Sequence, residues 1–132
     1  MSTSVLYAGN NVPVTTTVVG TVIPFSNIVR RYGKNLNVSG GNVVVNGEGY
    51  YSGIVNITYQ GTAAGTVEFT VFKDGVEIPF ANASATTAVD VINSAQIPFR
   101  VREKCCCEST ITVVASGVAV DVTNSAISIE KD

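Results

Sequence analysis

The segment Gly47-Glu48-Gly49-Tyr50-Tyr51-Ser52-Gly53-Ile54-Val55-Asn56-Ile57-Thr58-Tyr59 constrains this chain more than any other. Two glycines lead adjacent tyrosines into an alternating run, and in a β-strand neighbouring side chains point to opposite faces. The odd positions Tyr51, Val55, Ile57 and Tyr59 then share one face, opposed by Ser52, Asn56 and Thr58. Tyr51 falls on the apolar side and is expected to fill the subunit's own core. Tyr50 faces the other way, where a large aromatic calls for a second sheet or a second subunit.

The same period recurs along the chain. Val67, Phe69 and Val71 alternate with Thr66, Glu68 and Thr70, and Ile97, Phe99 and Val101 alternate with Arg100 and Arg102. Just after the first of these runs, Lys73-Asp74-Gly75-Val76 predicts a tight hairpin, because Asp-Gly accepts the positive φ angles of a type I′ turn. Further strands are expected over Asn11 to Val19, Thr21 to Phe25, Leu36 to Val38 and Val43 to Val45, the last pair joined by a Gly40-Gly41 turn. More are expected over Ala85 to Ile92, Thr110 to Ala115, Val118 to Val122 and Ala126 to Glu130. No helical period competes. Short strands at intervals of about ten residues predict an all-β, two-sheet antiparallel sandwich or jelly roll. It is expected to form one domain over 1–132, and Tyr50, Tyr51, Tyr59, Phe69, Phe72 and Phe99 are the candidates for core and subunit-interface aromatics.

Charge narrows the partners. Only 14% of the 132 residues are charged, well below the roughly 25% of an ordinary soluble domain, which suits broad buried interfaces. The net charge is −2 and the basic residues are scattered apart from Arg30-Arg31 and Arg100-x-Arg102-x-Lys104, so no field gathers nucleic acid or anionic lipid. The start, Met1 to Ala8, lacks the basic flank and apolar run of a signal peptide, and no stretch approaches the roughly 18 apolar residues of a membrane span. The expectation is a soluble chain made in the cytoplasm, without nucleic-acid or membrane partners.

Catalysis has little to build on. The chain has no histidine, which removes the commonest general base and the Ser-His and Cys-His arrangements. The carboxylates fall at turns or outward strand positions, as Asp74, Glu68, Asp121 and Glu130 do, where solvated surface charge explains them. Cys105-Cys106-Cys107 form one odd, contiguous block; neighbouring cysteines pair poorly with one another, and a zinc site needs ligands from elsewhere. Packed or loop thiols are the plain reading. Gly40-Gly41 and Gly47-x-Gly49 are turn glycines and not a phosphate loop. Arg30-Arg31-Tyr32 reads as a polar loop, and Asn37-Val38-Ser39, Asn56-Ile57-Thr58 and Asn82-Ala83-Ser84 match the glycosylation pattern without an export signal to give it meaning. No enzyme activity, cofactor or metal is expected.

Val43 to Tyr59, Phe72-Lys73-Asp74-Gly75-Val76-Glu77-Ile78-Pro79, Ile97-Pro98-Phe99-Arg100-Val101-Arg102, Ser109 to Val114 and Ile127 to Lys131 together resemble the small jelly-roll proteins encoded among head genes of tailed bacteriophages and prophages. Those proteins are similar to the trimeric tumour necrosis factor and complement globular-head fold. The resemblance implies a homotrimer on the capsid surface of a virion, acting as head fibre or capsid decoration with a phage capsid protein as partner. It transfers no catalytic residue. Residues 1–11 are the candidate docking segment. The alternative is a trimeric carbohydrate- or host-surface-binding module, recognising surface glycans through Gly61 to Gly65 or Asn82 to Thr87 with three-fold avidity.

Overall fold

The computed structural model describes residues 4–17, 20–104 and 107–132. Their strands are β1 (Val5–Asn10), β2 (Val14–Thr15), β3 (Thr21–Val22), β4 (Asn27–Tyr32), β5 (Leu36–Ser39) and β6 (Asn42–Asn46), followed by β7 (Gly49–Gly61), β8 (Gly65–Lys73), β9 (Val76–Thr87), β10 (Ile92–Glu103), β11 (Glu108–Gly117) and β12 (Val120–Lys131). They form two antiparallel sheets. One runs β10-β7-β12-β1-β4 with β2 beside β12; the other runs β5-β6-β11-β8-β9 with β3 beside β11. We call them the first and second sheets.

The alternation expected from the sequence decides what lies between them. Tyr51, Val55, Ile57 and Tyr59 of β7 are buried, as are Val67, Phe69 and Val71 of β8 and Ile97, Phe99 and Val101 of β10. The Tyr59 and Phe69 rings meet across the two sheets, 5.1 Å between centroids and tilted by 52°, a geometry favoured by the ring quadrupoles. Phe99 lies opposite Gly53 in the β10/β7 register, and a Cβ on Gly53 would stand 2.5 Å from the Phe99 ring. The missing side chain is the space the ring occupies, which explains a glycine in the interior of a 13-residue strand.

Several elements differ from the expectation, each for a local reason. Asn11 to Val19 supplies only β2 among its described residues, and Thr21 to Phe25 only β3, although Ile23 and Phe25 are still buried. Ala85 to Ile92 is not a strand: it spans the end of β9, the 88–91 connection and the first residue of β10. Of the two expected strands Val118 to Val122 and Ala126 to Glu130, the residues from Val120 onward belong to the single strand β12, whose register shifts between Val122 and Asn124 and so breaks the alternation. Thr70, expected to face outward, is buried beside the register shift between β8 and β9. Arg30-Arg31-Tyr32 is not a loop; it is the end of edge strand β4, which is exposed along its whole length and therefore carries no apolar period. Inside the stretch 1–11, the candidate for docking, β1 is hydrogen-bonded between β12 and β4, with Leu6 and Ala8 buried; this placement is separate from the docking role, which concerns a partner.

The Asp-Gly hairpin is present between β8 and β9, with φ of 51° at Asp74 and 81° at Gly75. The Asp74 carboxylate accepts a hydrogen bond from the Thr110 amide at 2.9 Å, and this, followed by a bond from Ser109, lowers its pKa from the ordinary 3.8. Because the folded-state pKa is depressed, the stabilisation is complete above the unfolded value and is lost as pH falls through the folded one. Asp74→Asn keeps a residue that tolerates positive φ but removes the charge. Acid titration of urea unfolding is expected to show a flatter loss of stability below about pH 4 in the variant than in the wild type; identical acid limbs would refute the role of Asp74.

Candidate functional site

The Gly47–Gly49 turn positions the tyrosine pair. Gly47 and Gly49 have φ of 105° and 150°, a region costly for any side chain, and a Cβ on Gly47 would collide with the Asn35 amide. That turn brings the Gly47 carbonyl within 2.9 Å of the Tyr51 hydroxyl, which donates to it. Tyr51 is thus buried with its polar end satisfied. Burial pushes its phenol above the ordinary 10.0, and the nearby Glu103 carboxylate adds to the shift. Glu103 is itself buried; its Oε1 lies 4.0 Å from Lys73 Nζ, and its Oε2 has no hydrogen-bond partner.

Tyr50 takes the opposite face and is 54% exposed. The Arg102 guanidinium sits over its ring, 5.8 Å from the centroid, so a cation covers part of this aromatic on the outer face of the first sheet. Next to it, Arg100 pairs with Asp132 at 2.7 Å, and Ser52 donates to the same carboxylate. These contacts lower the Asp132 pKa, the Arg100 hydrogen bond first.

Beyond that charged row the face changes character. Strand registers place Pro98, Ile54, Ser128 and Tyr7 in one lateral row and Gln96, Asn56, Ala126 and Gly9 in the next. Two adjacent rows across four strands therefore carry no charge. Gly9 and Ala126 form part of a hollow of about 210 Å³ that Tyr7 and Val29 line together with Asn10, Asn27 and Asn124. Uncharged surface with small residues and exposed aromatics is the chemistry of a buried protein contact.

A second feature stands on the neighbouring edge of the sandwich. In β9 the residues Ile78-Pro79-Phe80-Ala81 bulge opposite Val71, and Phe80 is 98% exposed with φ of 63°. A bulky residue in the left-handed region is strained by about 1–3 kcal/mol. Val76, on the same edge, is also exposed. The strain aims an aromatic into solvent where the open edges of β9 and β10 meet.

The structure separates the aromatics that the sequence grouped. Tyr51, Tyr59, Phe69 and Phe99 are in the core; Tyr50 is on the outer face of the first sheet; Phe72, at an even position, is half-buried on the outer face of the second. Tyr50 and Phe72 therefore cannot share one flat contact. Sequence reasoning missed Phe80, because nothing in composition or period signals a left-handed bulge. Of the two candidate glycan-contact segments, Asn82 to Thr87 is part of β9, whereas within Gly61 to Gly65 residues 62–64 form an exposed connection. Cys107 is an exposed free thiol, and Cys105 and Cys106 lie outside the described residues. Among the described residues no three His, Cys, Asp or Glu side chains gather as a metal set.

No protein-family profile and no curated protein matches the chain. Solved structures do. Eiger TNF from S. frugiperda superposes with a TM-score of 0.72 at 14% identity, over 99% of this chain and 92% of that one. Murine APRIL at pH 5.0 gives 0.75 at 20% identity, over 98% of both chains. PRD1 vertex protein P5 gives 0.61 at 12% identity, over 99% of this chain and 98% of that one. The fold is the tumour necrosis factor-like jelly roll.

The two tyrosines supply a test. Tyr51→Ala is expected to lower subunit stability by about 3–5 kcal/mol, whereas Tyr50→Ala, losing only exposed contacts, is expected to change it by about 1 kcal/mol or less. Equal effects in chemical denaturation would contradict the placement.

Proposed function

We propose that the chain is a structural protein of a bacteriophage or prophage virion, a homotrimeric head fibre or capsid decoration that works through buried area and repeated copies. The observation that carries the assembly is the pairing of two unlike surfaces: the two uncharged rows on the outer face of the first sheet and the strained Phe80 on the adjoining edge. A closed ring needs two different patches on every subunit, each meeting its counterpart on the next copy. Here the edge aromatic of one copy enters the Gly9/Ala126 hollow of its neighbour, and Tyr7 and Ile54 flank the contact. Low overall charge favours such burial, and the charged row Arg100, Ser52, Glu130 borders it.

Three chains per ring agree with the trimeric fold that the sequence resembles. The virion location draws support from the same resemblance to phage head proteins and from a fold shared with PRD1 vertex protein P5. The partner on the particle is a capsid protein.

Light scattering coupled to size exclusion is expected to report three chains per particle at micromolar concentration. Phe80→Gly relieves the left-handed backbone and removes the aromatic, so it is expected to shift the particle towards monomer while leaving the subunit folded. A monomeric wild type, or a Phe80→Gly trimer of unchanged affinity, would overturn the assembly. Antibodies against the chain are expected to label the heads of purified particles; labelling confined to tails would overturn the head location.

A further inference from the structure

A polar recess of about 450 Å³ lies on the outer face of the second sheet, away from the proposed assembly face. Its size falls within the range of small-molecule sites. Its floor is the lateral row Asn37, Val44 and Thr110, adjacent positions on β5, β6 and β11, and the next row is Asn46 and Glu108. Arg31 reaches the rim from β4, where its Nε donates to the Leu36 carbonyl at 2.8 Å. That bond fixes the guanidinium and leaves its two terminal nitrogens uncommitted. Lys34 follows on the same rim.

The unused hydrogen-bonding capacity is the informative part. Among the described residues, the side-chain amides of Asn37, Asn42 and Asn46 make no hydrogen bond, and Asn42 Oδ1 is buried without a partner. Among the same residues, neither Arg31 nor Lys34 has a carboxylate within ion-pair distance. Each amide offers two donors and one acceptor group, matching the hydroxyl of a sugar, which both donates and accepts. Two cations against one carboxylate leave the recess positive, although the chain is net negative. No aromatic lines it for base stacking, and its amide walls do not suit an apolar ligand.

We infer that this recess binds an anionic pyranose unit of a surface polysaccharide, its carboxylate or phosphate held by Arg31 and Lys34 and its hydroxyls by Asn37, Asn42 and Asn46. The site differs from the Gly61 to Gly65 and Asn82 to Thr87 segments. It faces away from the subunit contact, so it stands whether or not the chain assembles; a trimer multiplies a weak site.

The test is an amide chemical-shift titration of the full chain with glucuronic acid, glucose 6-phosphate, glucose and inorganic phosphate. Saturable shifts confined to residues 31–46 and 108–110 are expected with the two sugar acids, glucuronic acid or glucose 6-phosphate leading according to the natural anion. Glucose and phosphate are each expected to bind about tenfold more weakly, the loss of one charge-assisted contact or of the hydroxyl set. Lys34→Gln should weaken both sugar acids, and Glu108→Gln, which removes a like charge, should strengthen them. Glucose as tight as glucuronic acid, phosphate as tight as glucose 6-phosphate, shifts centred elsewhere, or no shifts would each overturn the inference, and none of them bears on the light-scattering result.

Discussion

Hydrogen bonding along both edges of β7 is the constraint on which the rest of the sandwich depends. With β10 on one side and β12 on the other over nearly its full length, the strand cannot rotate or slip by one residue without exchanging its two faces. Tyr51, Val55, Ile57 and Tyr59 are thereby committed to the core, and Tyr50, Ile54 and Asn56 to the outside. Gly53 is the one interior position where the core claims space from the strand itself, and Phe99 fills it. Because β7 is paired on both sides, its outward residues sit inside the outer face and not on an open edge. The surface proposed for assembly is a direct consequence of the pairing that makes the core.

Legibility in the sequence obeys the same rule. Strands with one buried face announce themselves by period two, as β7, β8 and the second half of β10 do, and the Asp74-Gly75 turn is visible because only certain residues accept its dihedrals. Strands without a clean inside and outside were hidden. β4 is exposed throughout, so its Arg-Arg-Tyr end looks like a loop; β12 changes phase at Asn124, so one strand looks like two. β1 is short and buries only Leu6 and Ala8, too little pattern to distinguish a sheet strand from a tail.

The surfaces were less legible than the core, for a physical reason. Period separates in from out but does not rank outward positions by what they meet. The paired tyrosines marked one outer face because adjacent aromatics are conspicuous. Phe80 looked like any other edge residue, since its exposure arises from a backbone bulge that forms only when β9 pairs with β8 across Val71. The asparagine recess has no linear motif at all: Asn37, Asn46 and Glu108 become neighbours only when β5, β6 and β11 lie side by side.

Two exposed features that cost stability or leave polar groups idle are informative together. A left-handed phenylalanine in water gains the isolated subunit nothing, and three uncommitted amides beside two unpaired cations do nothing for its core. Such choices are tolerated where another molecule recovers what the lone chain gives up. The apolar one lies on the edge beside the uncharged rows of the first sheet, the surface proposed to meet a second copy. The polar one lies across the sandwich, where a ring built through the first sheet leaves it open to solvent. The same alternation that hides one aromatic and shows the next therefore also keeps the surface that can build the particle apart from the surface that can face outward from it.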